Sequence, residues 1–235
     1  MTATEMEELF LIEYDRVTSF DAPGYTANEI SEILSSAQEQ LIFHTYNPLG
    51  NKYQKGLEEV ELTTADLQEL VSESNLTSSA SQIGVLTNGR FFDLPVNHWL
   101  TLMEEVTIAT DSCFNGAKGI VKPITHDEYT INRNNPFKKP AVNEVTWRLT
   151  NSGRRFELVT DGNYTITTYN MRYLIKPQPI ITATGITVDG VAGPLNCQLK
   201  STTHRRIVKY AVRIAAGITD AQMYQVKTIE QNSGN

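Results

Sequence analysis

No run in the 235 residues approaches the roughly 20 consecutive apolar positions that a membrane helix needs, so a bilayer-spanning helix is not expected. The opening MTATEMEELF is acidic and has neither the basic start nor the apolar core of a secretory signal; the sequence reads as a soluble protein made in the cytoplasm. Cysteine is scarce. Cys113 and Cys197 stand far apart without CxxC spacing, which argues against a disulfide framework or a thiolate metal site and for two reduced thiols. The P-loop, GxGxxG, GxSxG and HExxH patterns are all missing, so no cofactor and no enzymatic activity are expected. Gly185, Gly190 and Gly193 of GITVDGVAG have the wrong spacing for a phosphate cradle, and no helix start follows at once; a turn or flexible loop is the reading.

What the chain does have is charge, unevenly distributed. The formal net charge is -7, but residues 1–73 hold 15 Asp and Glu against Arg16, Lys52 and Lys55, and everything after them is net basic. Lys118 to Arg155 contributes eight Lys and Arg against Asp127, Glu128 and Glu144, and a second basic cluster runs from Lys200 to Arg213. A chain acidic at one end and basic further on can pair with a copy of itself. Two solvated faces are the plainer reading of the same counts.

The periodicity changes along the chain. In GYTANEISEILSSAQEQLIFHTYN, Thr26 or Asn28 can cap a helix whose Ile30, Ile33, Leu34, Ala37, Leu41 and Ile42 form one apolar stripe. TTADLQELVSES predicts a shorter helix with Leu67, Leu70 and Val71 on one side, and SNLTSSASQ a polar loop. Beyond residue 80 the pattern turns to strands. Asn88-Gly89 is placed for a hairpin turn, and VTWRLT, RRFELVT and NYTITTYNMRYLIK, separated by Asn151-Ser152-Gly153 and Asp161-Gly162, read as a three-strand antiparallel meander stopped by Pro177 and Pro179. At the end, Ile207, Val208, Ala211, Val212 and Ala215 make a helical stripe with Arg206, Lys209 and Arg213 on another face; Gly217 is expected to end that helix and Thr219-Asp220 to cap the next. Arg205 and Arg206 sit in the first turn, against the helix dipole, which calls for an acidic neighbour.

The class is α+β: helices at both ends of a mainly antiparallel β middle. The expected organisation is one structural subunit over 1–235, with an acidic helical part at 1–75, a β-rich part at 80–180 and a C-terminal helical part at 200–235. Within the β part, ITHDEYTINRNNPFKKP forms an expected extended loop at 124–140. It places His126, Asp127, Glu128 and Tyr129 side by side, but in an extended segment neighbours point to opposite sides, and a metal needs three or four converging ligands. A turn in which Asp127 caps nearby amides is favoured over a metal or acid–base role for His126 and Glu128. Asn134, Asn135, Pro136 and Pro140 fix an arm with Phe137 as its apolar anchor and Lys138 and Lys139 beside it, suited to lying on a neighbour.

PITHDEYTINRNNPFKKP, VTWRL, MRYLIKPQPI and LNCQLKSTTHRRIVKYAVRIA, with the earlier GYTANEISEILSSAQEQLIFHTYNP and FFDLPVNHWL, resemble a family of virion structural proteins from crAss-like tailed phages of gut Bacteroidales. The sequence departs from that resemblance at Gln198-Leu199-Lys200 and at Arg206, where acidic character is expected, so its last helix is expected to meet a different neighbour. The resemblance implies a head-to-tail connector or ring protein of the phage neck, built into a twelvefold ring of copies of itself. It further implies contact with the portal protein or other neck and tail proteins, and a lumen through which DNA passes. On this reading the acidic N-terminal part of one subunit faces basic surface of the next, including Arg154, Arg155, Arg205 and Arg206. The alternatives are a DNA-contacting virion or regulatory protein using Lys200 to Arg213 and a small metal-dependent hydrolase using His126 and Glu128.

Overall fold

The structure, a computed structural model, describes residues 1–15, 24–47, 61–78, 83–111, 113–142 and 144–219. In chain order its elements are α1 (Ala3–Asp15), α2 (Ala27–Tyr46), α3 (Glu61–Leu67) with a 3-10 turn at Gln68–Leu70, β1 (Val71–Leu76), β2 (Gly89–Asp93), β3 (His98–Ala109), β4 (Lys118–Pro123), α4 (His126–Asn132), β5 (Val145–Asn151), β6 (Arg155–Val159), β7 (Thr165–Ile175), β8 (Thr187–Val188), β9 (Val191–Ala192) and α5 (Ser201–Thr219). Helices at both ends flank a large mixed sheet, an α+β architecture. The chain forms two compact units: residues 1–70 with 177–235, and, inserted between them in sequence, residues 71–176. Among the described residues no helix is long and apolar enough to cross a membrane.

In the helical unit the local signals work as expected. Thr26 caps α2 through a reciprocal capping box: Glu29 N donates to Thr26 Oγ1 and Thr26 N donates to Glu29 Oε2 at 2.8 Å. Every member of the α2 stripe is buried, as are Ile207, Val208, Ala211, Val212 and Ala215 of α5, and the two helices pack together. Phe10 and Tyr14 of α1 stack at 5.9 Å, and Tyr25 meets Tyr14 edge-on at 5.1 Å while its hydroxyl donates to the Ala215 carbonyl. Polar positions of α2 matter as much. Ser31, Ser35 and Gln38 recur at helical spacing and bond the backbone of the segment that enters from β7: Thr182 N donates to Ser31 Oγ, Ile180 N to Ser35 Oγ, and Gln38 Nε2 to the Gln178 carbonyl. Cys197 also reaches Gln38 (3.2 Å), and burial pushes its thiol up to about 11; both cysteines are free.

Two helix expectations change here. The apolar stripe of α5 carries the helix through Gly217 to Thr219, because one glycine costs only about 1 kcal/mol and the flanking Ala215 and Ala216 are buried. The helix that Asp220 was expected to begin lies outside the described residues. Second, α3 ends at Leu67, and Val71, read as helical, opens strand β1. The SES run is polar on both templates, so it carried no periodicity with which to tell them apart.

The inserted unit is a seven-stranded sheet in the order β1-β7-β3-β4-β5-β6-β2, antiparallel throughout except for the parallel pair β4–β5. The expected three-strand meander is corrected: β5 and β6 form the hairpin, but β7 pairs with β1 and β3, and the other edge of β6 is taken by β2. Asp161-Gly162 makes a turn, with Gly162 at φ 90°, but a turn residue fixes a reversal and not the strand that follows as partner. Asn88 does take φ 60°, and among the described residues its hairpin is represented by the bridge Ile83–Arg90. The turn is instead pinned by Glu157. Its buried carboxylate accepts from Leu86 N at 2.7 Å, and a Cβ at Gly84 or Gly89 would collide with it.

One face of this sheet carries the larger core, with Phe92, Val106, Ile108, Leu158, Tyr169 and Met171 fully or almost fully buried; the other carries a small cluster of Trp147, Leu149 and Val159. His98 lies in the ring contacts of the larger core, 5.4 Å from Tyr173 and 5.8 Å from Phe156, with Nε2 3.0 Å from Thr101 Oγ1. Burial, and then the Arg148 charge, hold its pKa below the ordinary 6.5. A group depressed in the folded state contributes stability above its unfolded value and loses it as pH falls through the folded one. Stability of this unit is therefore expected to decline as pH drops below about 6.5. Urea melts of wild type and His98→Gln across that range check it, the variant losing less.

Candidate interaction surface

The parallel pair β4–β5 requires a crossover, and residues 124–144 supply it. Its first part is not extended: Thr125 caps helix α4, with Glu128 N donating to Thr125 Oγ1 and Thr125 N donating to Glu128 Oε2, both at 3.1 Å. The capping box Thr125-x-x-Glu128 was present in the sequence, and it, rather than Asp127, supplies the cap. Helix α4 has no buried residue of its own; it leans on the sheet through Tyr129, edge-on to Trp147 at 6.1 Å, and through Ile124 N, which donates to the Arg148 carbonyl.

Beyond α4 the chain turns on Asn135. Its carbonyl accepts from Lys138 N and Lys139 N, and its side-chain Oδ1 accepts from Phe137 N at 3.0 Å. With Pro136 fixing φ, this turn holds Phe137 away from the core, 96% exposed. Between the turn and the sheet lies an open groove of about 330 Å³, walled by Lys122, Asn132, Phe137, Lys138, Lys139 and Trp147, with Glu128 and Glu144 also on its lining. Ile131 (76% exposed) projects from α4, and Ile120 (68%) lies on β4 opposite Val145. An aromatic side chain as exposed as Phe137 on the wall of a basic-rimmed groove has the character of a contact surface.

The structure brings together three of the seven residues singled out from the sequence, Phe137, Lys138 and Lys139. Arg154, at φ 55° in the β5–β6 turn, donates to the Val96 carbonyl at 3.0 Å; Arg155 pairs with Asp93 at 2.6 Å. Arg206 belongs to the other unit, where Asp66 of α3 meets it at 2.5 Å. That is the acidic neighbour the α5 N-terminus required, supplied from within the chain. Arg205 beside it is exposed. The charge asymmetry is redistributed accordingly: the helical unit, which contains both the acidic N-terminus and basic α5, holds 17 Asp and Glu against nine Lys and Arg, the sheet unit ten against eleven.

His126 does not approach a ligand set. Its Nε2 lies 3.3 Å from the Thr150 carbonyl, Glu128 is committed to the cap, and among the described residues no three His, Cys, Asp or Glu side chains are grouped to hold a metal. The metal-dependent alternative gains no support from this arrangement. Sequence reasoning missed Lys122 and Trp147 as parts of the surface. Only the β4–α4–β5 crossover gathers them, and the parallel pairing that creates it had no local signal.

Comparison with known proteins covers almost the whole chain. A family model described as phage tail ring protein 3/4 matches residues 1–227. Ring protein 4/5 of Bacteroides phage crAss001 is 33% identical over 226 residues, covering 92% of each chain. Ring protein 3 of the same phage is 31% identical over 202 residues, 82% of this chain and 86% of its own.

Proposed function

The chain belongs to the phage tail ring protein 3/4 family, a virion structural family, and on that premise we propose that it is a non-enzymatic subunit of a ring in the phage neck joining portal to tail. The observation that carries this reading is the extent of the likeness: it runs across both units, so the whole subunit and not one module is shared. Ring closure needs heterologous contacts, in which one patch of a subunit meets a different patch of the next. A chain with a strongly acidic helical unit, and with an exposed Phe137 beside Lys138 and Lys139 on the sheet unit, offers two such unlike patches. Twelve copies close the ring, following the portal, and the lumen passes the genome; Phe137, Lys138 and Lys139 form a docking element to an adjacent subunit or to a neighbouring neck or tail protein.

Electron micrographs of the purified protein, alone and mixed with the portal and neighbouring virion proteins, test the reading. Closed rings of twelve subunits are expected. A protein that stays monomeric in every mixture would overturn it.

A further inference from the structure

We infer that the groove beside α4 receives the exposed face of α1 from a second copy of this chain. The inference rests on the ring reading and names the seam that reading leaves unspecified.

Helix α1 buries Ala3, Met6, Phe10 and Tyr14 in its own unit. The residues that repeat on the opposite side, Glu5, Glu8, Ile12 and Asp15, are exposed, so the helix presents an acidic stripe with one large apolar side chain, Ile12, half exposed in its midst. The groove is its complement in both respects. Three lysines, Lys122, Lys138 and Lys139, edge it; its two carboxylates are Glu144 and Glu128, the latter already engaged by the Thr125 amide. Phe137, on the groove's wall and 96% exposed, gives Ile12 an apolar partner. Glu5 accepts from the Thr2 amide at 2.9 Å, which leaves Glu8 and Asp15 as the exposed carboxylates that the stripe offers.

The other helices fit less well. The outer face of α5 is basic, with Arg205 and Lys209 exposed, and would meet the lysines unfavourably. The outer face of α2 has Glu32, Ser36, Gln40 and Phe43, with Glu29 occupied by its capping box, and so offers less charge. Where the groove of one copy takes the helix of a second and its own helix enters the groove of a third, the pairing is head-to-tail and generates a ring or an open filament.

Two measurements decide the point. In mass photometry at low salt, the pairs K138E/K139E and E8K/D15K are each expected to weaken self-association about tenfold or more, and the four changes together to restore most of it, since only a direct contact is rescued by exchanging the two charges. All substituted positions are exposed, and melting temperatures equal to wild type confirm that folding is intact. In parallel, I12C with F137C in a C113S background is expected to give disulfide-linked dimers and higher ladders on mild oxidation. If wild type forms rings and the charge pairs associate as it does, without cross-links, the seam is wrong and the ring reading stands. If wild type forms no rings, alone or mixed with the portal and neighbouring virion proteins, the ring reading falls, and cross-linking between two copies still decides for or against the seam.

Discussion

Glu104→Ala is expected to lower the unfolding free energy of the sheet unit by about 3–5 kcal/mol, the usual cost of stranding one member of a buried ion pair. The stranded member is Arg148, whose side chain is only 13% exposed and whose Nε lies 2.9 Å from the Glu104 carboxylate, itself 9% exposed. The Nε–H is not aimed along a hydrogen bond, so the pair is held by proximity of charge; the Tyr169 hydroxyl donates the hydrogen bond that orients the carboxylate. Arg148 also spreads its guanidinium over Phe156, 4.2 Å from the ring centroid, which leaves it nowhere to go when the carboxylate is removed. Burial raises the pKa of Glu104 and outweighs the lowering from Tyr169 and Arg148. A carboxyl raised in the folded state holds its proton more tightly there than in the unfolded chain. Its contribution is therefore full below the unfolded value of 4.5 and is lost as pH rises through the folded one. The ionised pair thus survives neutral pH at a cost, and the joint replacement Glu104→Leu with Arg148→Met should recover most of the loss and gain on wild type as pH climbs from 4.5. Both tryptophans, Trp99 and Trp147, lie in the sheet unit, so urea melts followed by their fluorescence read it directly.

Glu104 and Arg148 also show where sequence reading stops. Each stands in a strand whose alternation suggests a solvent-facing charge, and nothing local announces that β3 and β5, with β4 between them, bring the two side chains together under Tyr169. Within one element the sequence was legible. The Thr26 cap, the α2 and α5 stripes and the β5–β6 hairpin all follow from propensity and period acting over a few residues. Partner choice was not. Strand β7 could have continued a meander, and its pairing with β1 and β3 is set by burial of Tyr169, Met171 and Tyr173, which no turn dipeptide encodes. The candidate surface divides the same way. Phe137 and the lysines beside it stood out because Asn135 and Pro136 mark a turn. The groove they border depends on a parallel crossover, and the one local clue to its helix, the Thr125–Glu128 box, was hidden among residues that looked like chemistry.

The same crossover separates two aromatic residues that belong to one surface and should fail differently. Trp147→Ala is expected to cost about 3–5 kcal/mol, because a ring only 4% exposed is removed from a cluster with Leu149 and Val159 and leaves a cavity. It also takes away the platform of Tyr129. A seven-residue helix with no buried residue of its own cannot hold its place unaided, so α4, and with it the turn that presents Phe137, loses its seat. Phe137→Ala removes a ring that is 96% exposed and should leave unfolding within about 0.5 kcal/mol of wild type. Its effect belongs to association, where an exposed aromatic that becomes buried on docking commonly carries 2 kcal/mol or more, roughly thirtyfold in affinity. Urea melts and mass photometry on the two variants separate these roles. Trp147→Ala should fail both, while Phe137→Ala should melt with wild type and assemble poorly. A Phe137→Ala protein that assembles normally would remove the docking role from the turn. One that melts early would mean that the ring is already packed within its own subunit.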